Sequence, residues 1–173
     1  MRNTQGLEGC AMTVWEKLQL KAAGRLLIVE APAEFDGALA ELPAERRVDR
    51  VAEPGISYPL ALVFVQCADD VRRHAGAAVA ALVDDGLLWF AYAKKSSRRY
   101  NAELSRDEGW AALGALGYEP VRQIAIDSDW SAVRFRHASR IQRLTRTKVR
   151  RLSAEGQARG VEASVEAPSD GSA

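Results

Sequence analysis

The chain has 173 residues, of which 47% are hydrophobic and 27% charged, and its formal net charge at pH 7 is +1. This composition is typical of a globular protein with one domain of ordinary size, and it excludes a chain that is disordered throughout. No apolar stretch approaches the roughly 20 residues that a membrane-spanning helix needs, and there is no export signal or zinc-type cysteine spacing. We therefore expect a cytoplasmic, reduced protein with no metal ion and no membrane contact.

Charge is distributed unevenly along the chain. Residues 1–93 carry 9 basic and 13 acidic side chains, whereas residues 94–151 carry 14 basic and 6 acidic ones. Residues 152–173 carry 1 basic and 4 acidic side chains, with few large apolar residues. Such a composition predicts a disordered tail over 153–173, and the basic surplus lies in the second half of the domain.

The first half of the chain alternates between helical and strand periodicity. In chain order it predicts a short helix ending at Gly24, a buried strand over 25–30, a helix over 34–42 and a weak strand over 47–51. A loop with two prolines follows over 53–59. A helix between consecutive strands indicates an α/β fold.

The second half continues this alternation. It predicts a buried strand over 60–66, a helix from Asp69 closed by Asp85-Gly86, and a third buried strand over 86–92. Ser105 and Glu108 have the spacing of a capping box and predict a helix that runs to Gly117.

The last strands alternate around a turn at 127–130 and predict an antiparallel hairpin at the sheet edge. The predicted fold is an α/β three-layer sandwich whose mainly parallel sheet is closed by this C-terminal hairpin. We expect the chain to divide into a flexible N-terminal extension, the α/β domain, a basic helix and a disordered tail, over residues 1–11, 12–136, 137–152 and 153–173.

Four segments carry a resemblance to a known fold: Leu27–Phe35, Asp85–Ser97, Leu104–Trp110 and Asp127–Phe135. Their order resembles the Rossmann-like fold of S-adenosylmethionine-dependent methyltransferases. More closely, it is similar to a bacterial family of single-domain proteins related to that fold, which implies the fold and no established activity.

The chain departs from the methyltransferase pattern where such an enzyme would bind its cofactor. The resemblance implies a glycine-rich turn after the first strand, because a residue without Cβ lets the backbone approach the ligand. Here Glu30 and Pro32 occupy that turn, and the first glycine after the strand is Gly37. S-adenosylmethionine therefore remains a possible cofactor that the missing loop disfavours, and we expect a repurposed binding module or, alternatively, an atypical methyltransferase.

Polar side chains follow two of the predicted buried strands. In open α/β sheets ligands bind beyond the carboxyl ends of the strands, and cations with hydroxyl groups can hold a phosphate or a carboxylate there. A solvated basic loop is the alternative interpretation of the cations, and helix-start carboxylates are the alternative for the acids. The predicted ligand-binding residues for a small anionic or nucleotide-like molecule are Glu30, Glu34, Lys94, Lys95, Ser96 and Ser97.

A basic segment near the C-terminus contains no acid between Arg134 and Arg151. A basic helix there could lie along nucleic acid, although a helix docked on the sheet edge explains the pattern as well. The residues of this alternative site are Arg136, Arg140, Arg143, Arg146, Lys148, Arg150 and Arg151.

The other chemistry-bearing side chains have structural explanations. Cys67 is expected to be a buried thiol, and Trp130 a core anchor beside a hairpin turn. His74 and His137 are far apart and have no further ligand at metal spacing. Oligomeric state and catalytic residues stay open.

Overall fold

The computed structural model describes residues 11–142, 144 and 151–162. It contains a six-stranded sheet and five α-helices within those residues. The helices are α1 Val14–Lys17, α2 Asp36–Ala40, α3 Ala68–Ala81, α4 Ala111–Ala115 and α5 Ala154–Glu162. The strands are β1 Leu26–Val29, β2 Val48–Asp49, β3 Tyr58–Val65, β4 Leu82–Ala93, β5 Tyr118–Ala125 and β6 Trp130–His137.

The order of strands in the sheet is β2-β1-β3-β4-β6-β5. β2, β1, β3 and β4 are parallel neighbours, whereas β6 runs antiparallel to both β4 and β5. From β1 the chain first moves outward to β2 and then returns to β3 on the other side of β1. The strand order therefore switches direction between β1 and β3, which is where ligands bind in open α/β sheets.

Hydrophobic side chains pack on both faces of the sheet. On one face, Val71 of α3 and Leu113 of α4 join a cluster that includes Phe90. On the other face, Trp15 and Leu18 pack with Trp89 and its neighbours in the sheet. The indole nitrogen of Trp89 donates to the carbonyl oxygen of Leu18 at 3.0 Å, so the large buried ring keeps its hydrogen bond. The central strands are thus buried on both faces.

The boundaries of α1 and β4 differ from the sequence prediction. α1 is a single turn with a capping box between Thr13 and Glu16, and it stops well before Gly24. β4 begins at Leu82, directly after α3, rather than at Gly86. The reason is strand pairing, since Leu82 already lies in register with Tyr58 of β3.

The predicted capping box at Ser105 is wrong. The Ser105 hydroxyl accepts from the amide of Asp107 at 3.3 Å, and the helix begins only at Ala111. Gly109 has a φ of +98°, which no helix can continue through, and buried Trp110 donates from its indole to the Ser105 carbonyl at 2.8 Å. Gly117, with a φ of +87°, ends the helix as expected.

The C-terminal part of the chain also differs from the prediction. Residues 154–162, expected in a disordered tail, form α5. Of the predicted basic helix, residue 137 ends β6, residues 138–140 form a 3₁₀ turn, and residues 141, 142, 144, 151 and 152 are not helical. The remaining residues of the predicted helix lie outside the described residues.

Buried Glu119 on β5 holds the chain that leads into α5. Its carboxylate accepts from the amides of Leu152 and Ser153 at 3.0 and 2.7 Å, and from the Ser153 hydroxyl at 2.8 Å. Within the described residues no helix is long and apolar enough to cross a membrane.

Candidate functional site

A crevice opens at the carboxyl ends of β1 and β3, the point where the strand order reverses. We call it the carboxyl-edge crevice. Its volume is about 250 Å³, and it combines aromatic rings with charged groups. Its lining residues are Glu30, Pro32, Phe64, Gln66, Asp70, Arg73, His74, Tyr100 and Trp130.

Glu30 ends β1 in an unusual backbone conformation. Its φ is +55°, in the left-handed region that glycine adopts readily and that costs other L-residues about 1–2 kcal/mol. Its side chain is exposed at the crevice and has no hydrogen bond or ion pair within the described residues. Backbone strain of this kind clusters at functional sites. In Glu30 it coincides with the strand end where a ligand is expected.

Aromatic rings form one wall of the crevice. The ring centroids of Phe64 and Trp130 lie 5.2 Å apart in an edge-on arrangement, and those of Tyr100 and Trp130 lie 4.8 Å apart. Trp130 is only 2% exposed, so the wall is anchored in the hydrophobic core, as the sequence analysis expected for this residue. Phe64 is buried as well, whereas Tyr100 is only half-buried, so the Tyr100 ring is the part of the wall that can pack against a flat ring system.

Glu34 stands behind the aromatic wall. The hydroxyl of Tyr100 donates to Glu34 Oε1 at 2.5 Å, and the indole nitrogen of Trp130 lies 3.4 Å from the same oxygen. Arg99 approaches the other carboxylate oxygen at 3.8 Å. The Tyr100 hydrogen bond is the main cause that lowers the pKa of Glu34, and the same bond raises the pKa of Tyr100. The pair holds the Tyr100 ring in place against Trp130.

The first turn of α3 forms the opposite rim. Asp70 Oδ2 accepts from the backbone amides of Gln66 and Cys67 at 2.9 and 3.3 Å, which caps the helix and lowers the pKa of Asp70. Arg73 pairs with Asp70 at 3.2 Å, and His74 lies beside it at the rim. The Gln66 side chain thus faces the crevice from a fixed backbone.

The loop after β4 separates the predicted ligand-binding residues. Ser97 donates to Asp129 Oδ1 at 2.7 Å, and the Lys94 ammonium group donates to the Asp127 carbonyl oxygen, so both bind the turn between β5 and β6. Lys94 and Lys95 line a second crevice of about 280 Å³ together with Tyr92 and Ser105, whereas exposed Ser96 lines neither crevice. Of the six predicted residues, Glu30 lines the carboxyl-edge crevice and Glu34 supports its wall.

Most of the alternative nucleic-acid residues lie outside the described part of the chain, namely Arg143, Arg146, Lys148 and Arg150. Arg136 binds Asp85 through two nitrogens at 2.8 and 2.5 Å, and Arg140 binds Asp84. Arg151 donates to the Gly156 carbonyl oxygen at 2.9 Å. The described members therefore have partners in the fold.

Sequence reasoning missed three contributors to the carboxyl-edge crevice: Phe64, Gln66 and Tyr100. The first two lie at the end of β3, so the rule that ligands bind beyond strand ends could have found them. Tyr100 reaches the site only through the loop after β4, and no sequence signal places it there. Among the described residues no group of three or more histidine, cysteine or acidic side chains could hold a metal ion.

An S-adenosylmethionine cradle of the ordinary kind does not fit these residues. Pro32 has no amide to donate, and Glu30 occupies the left-handed position at the end of β1 where a glycine would leave room for a ligand. The crevice is also smaller than the roughly 300–1,000 Å³ of most small-molecule sites.

Comparisons with known proteins give structural likenesses alone. No family model matches the sequence, and no curated protein matches it. Similar solved structures include the glycopeptide N-methyltransferase MtfA, with 12% identity and a TM-score of 0.44 over 72% of this chain and 88% of that one. LepI in complex with SAM is similar with 15% identity and a TM-score of 0.39, over 72% of this chain and 39% of the LepI chain. At such scores they carry no inference about the site, which stands on this chain's own residues.

Proposed function

We propose that this protein is a Rossmann-like binding module with a methyltransferase-like fold that takes a small, nucleoside-like ligand at the carboxyl-edge crevice. The observation that carries the proposal is the unpartnered carboxylate of Glu30, which faces an aromatic wall at the switch point of the sheet. A carboxylate there can accept hydrogen bonds from sugar hydroxyls, as acids do near nucleotide ribose groups in doubly wound folds. The aromatic wall can pack against a base.

The charges of the crevice favour a neutral ligand over the anion expected from the sequence. Glu30, Glu34 and Asp70 lie in or next to it, against the cations Arg73 and Arg99. Asp70 and Glu34 are already hydrogen-bonded, which leaves the Glu30 carboxylate as the free acceptor. An added phosphate would repel this carboxylate, because like charges disfavour each other.

The volume favours a ligand of nucleoside size. At about 250 Å³ the crevice can enclose a base with its sugar more readily than a whole dinucleotide. Adenosine is therefore the first probe, and S-adenosylmethionine, its demethylated product and AMP are the comparison ligands.

The test is thermal unfolding of the full chain with each ligand. A ligand at 100 times its dissociation constant adds about 2.7 kcal/mol, which for this chain length is a shift of about 5–10 °C in Tm. We expect adenosine to raise the Tm of the wild type but not of the Glu30→Gln and Tyr100→Ala variants, which remove the carboxylate and the ring that pack against the ligand. Glu45→Gln is the matched control, since Glu45 is an exposed glutamate outside the crevice. The absence of any nucleoside shift, or an equal shift in all variants, would disprove the proposal.

An atypical methyltransferase is the second candidate. The observation that favours it is the backbone of Glu30, which keeps the left-handed conformation that a glycine turn would have at the end of the first strand. A Tm shift with S-adenosylmethionine and its product alone, together with transfer of a labelled methyl group to peptide or small-molecule pools, would replace the first proposal. Labelled transfer at the level of the protein-free control would remove this second candidate.

A further inference from the structure

A crevice larger than the carboxyl-edge crevice lies along β5 and β6 and reaches Gln19, which follows α1. Its volume is about 520 Å³. Guanidinium groups and apolar side chains line it together: Arg122, Arg134, Arg136 and Arg140, with Val121 and Ile141. We call it the arginine crevice.

Strand pairing brings its central arginines together. Arg122 on β5 lies opposite Arg134 on β6 in the antiparallel register, and Arg136 follows two positions after Arg134 on the same face. Like charges opposite each other across a sheet are destabilising. The fold therefore carries an electrostatic cost at this place, which a bound anion would offset.

Arg134 has no carboxylate partner within the described residues. Its Nη1 donates to the amide oxygen of Gln19 at 2.9 Å, while its Nε is buried and has no hydrogen-bond acceptor in the described part of the chain. Burial, and then the neighbouring charge of Arg136, lowers the pKa of Arg134. Gln19 itself has a φ of +62°, so a strained residue holds this guanidinium group. A buried donor and charge without acceptor are costly, which makes Arg134 a candidate for binding rather than for stability.

The charge around Arg134 is only partly neutralised. Arg136 and Arg140 are paired with acids, but exposed Arg122 has no hydrogen bond or ion pair within the described residues. The crevice has one carboxylate in its lining, Glu119, whose oxygens accept from the chain leading into α5.

We propose that the arginine crevice binds a phosphoryl group, with Arg134 and Arg122 as its main donors. Guanidinium groups bind phosphate through paired hydrogen bonds, and a doubly charged group offsets more than one arginine. Exposed Val121 and partly exposed Ile141 form an apolar surface beside the arginines for the organic part of the ligand. The phosphoryl group belongs either to a small phosphate compound or to the backbone of a nucleic acid.

The experiment uses the full chain and two probes, neither of which is a free nucleoside. Binding of inorganic tripolyphosphate is measured by calorimetry. Binding of a fluorescent 12-nucleotide uridine RNA is measured by fluorescence anisotropy. We expect at least one probe to bind. Arg134→Gln or Arg122→Gln should raise the dissociation constant of that probe about tenfold or more, because each variant loses a hydrogen bond to a charged group. Arg72→Gln is the matched control, because it removes the same charge from exposed α3. Sodium chloride at equal ionic strength controls for bulk salt.

The two probes distinguish the sources. Tight binding of tripolyphosphate with little RNA binding indicates a small phosphate compound. RNA binding whose logarithmic salt dependence becomes shallower by about one unit in Arg122→Gln indicates a phosphodiester backbone. If neither probe binds, or if Arg72→Gln weakens binding as much as the other variants do, the proposal is wrong.

A second variant separates binding from folding. Arg134→Met removes a buried charge that has no acid partner, so the ligand-free variant should unfold at a Tm equal to or above that of the wild type. If its Tm falls while Arg122→Gln still binds the probes like the wild type, the arginines are structural and the proposal is refuted. Neither outcome depends on nucleoside binding at the carboxyl-edge crevice, because neither probe is a free nucleoside.

Discussion

Replacement of Glu30 by glycine tests the central feature of the carboxyl-edge crevice. With a φ of +55°, Glu30 pays about 1–2 kcal/mol for its left-handed backbone. Glycine relieves this strain, but it also increases the conformational entropy of the unfolded chain, which lowers the free energy of unfolding by about 0.4–1 kcal/mol. The two values leave Glu30→Gly about 0–1.5 kcal/mol more stable than the wild type. Its Tm should rise by up to about 5 °C.

Glu30→Ala is the control, because alanine removes the carboxylate and keeps the strained backbone. The assay is urea and thermal unfolding, followed by circular dichroism, without ligand. We expect the glycine variant to be the most stable of the three and the alanine variant to be close to the wild type. A glycine variant no more stable than the alanine variant would refute the strain argument.

The same substitution should have the opposite effect on binding. If the carboxylate binds sugar hydroxyls, Glu30→Gly and Glu30→Ala should both lose the adenosine shift. Stability and binding would then change in opposite directions, as they do where a functional residue is kept at the expense of stability. Undiminished adenosine binding by both variants would remove Glu30 from the site.

Three further predictions concern the fold. A Cβ at Gly114 of α4 would lie 2.5 Å from a carbonyl oxygen in the segment before α5, whereas a Cβ at Gly76 of α3 would meet nothing within 4 Å. Gly76→Ala should therefore raise the Tm, and Gly114→Ala should lower it. Glu119→Ala leaves buried donors before α5 without an acceptor, and should make α5 the first site of proteolytic cleavage. The hydrogen bond from Arg25 is the main cause that lowers the pKa of Asp49. The ionised Asp49 carboxylate therefore stabilises the folded state fully at neutral pH, and this contribution is lost as the pH falls below about 4 through the lowered pKa. Urea unfolding from pH 7 to pH 3 should show a smaller loss in Asp49→Asn than in the wild type.

The central strands could be predicted because their signal is local. β1 and β3 are buried on both faces, and a strand of this kind is a continuous apolar run that hardly any other element requires. The helix predicted from Ser105 failed for a tertiary reason. Leu104 and Trp110 are both buried, and packing of these two side chains holds the chain between them in a loop that a capping motif could not override.

The carboxyl-edge crevice was predicted in part, because one of its residues follows a strand that the local sequence pattern indicates. Glu30 follows a recognisable strand, and topology alone brings the end of that strand to the switch point. Lys94 and Ser97 follow another such strand, but the turn between β5 and β6 binds both of them. Tyr100 and Arg134 were not predicted, since their partners Glu34 and Gln19 are distant in sequence.

The sequence by itself determined the α/β character of this protein, the absence of glycine from the turn after β1 and the basic surplus of its second half. These are properties of residue type and of local periodicity, which the chain carries before it folds. Only the tertiary structure decided which charges are neutralised and which remain free. Strand register set Arg122 against Arg134, and the packing of Tyr100 against Trp130 built a wall opposite Glu30. Contacts of this kind join residues far apart in the chain, so no local pattern specifies them.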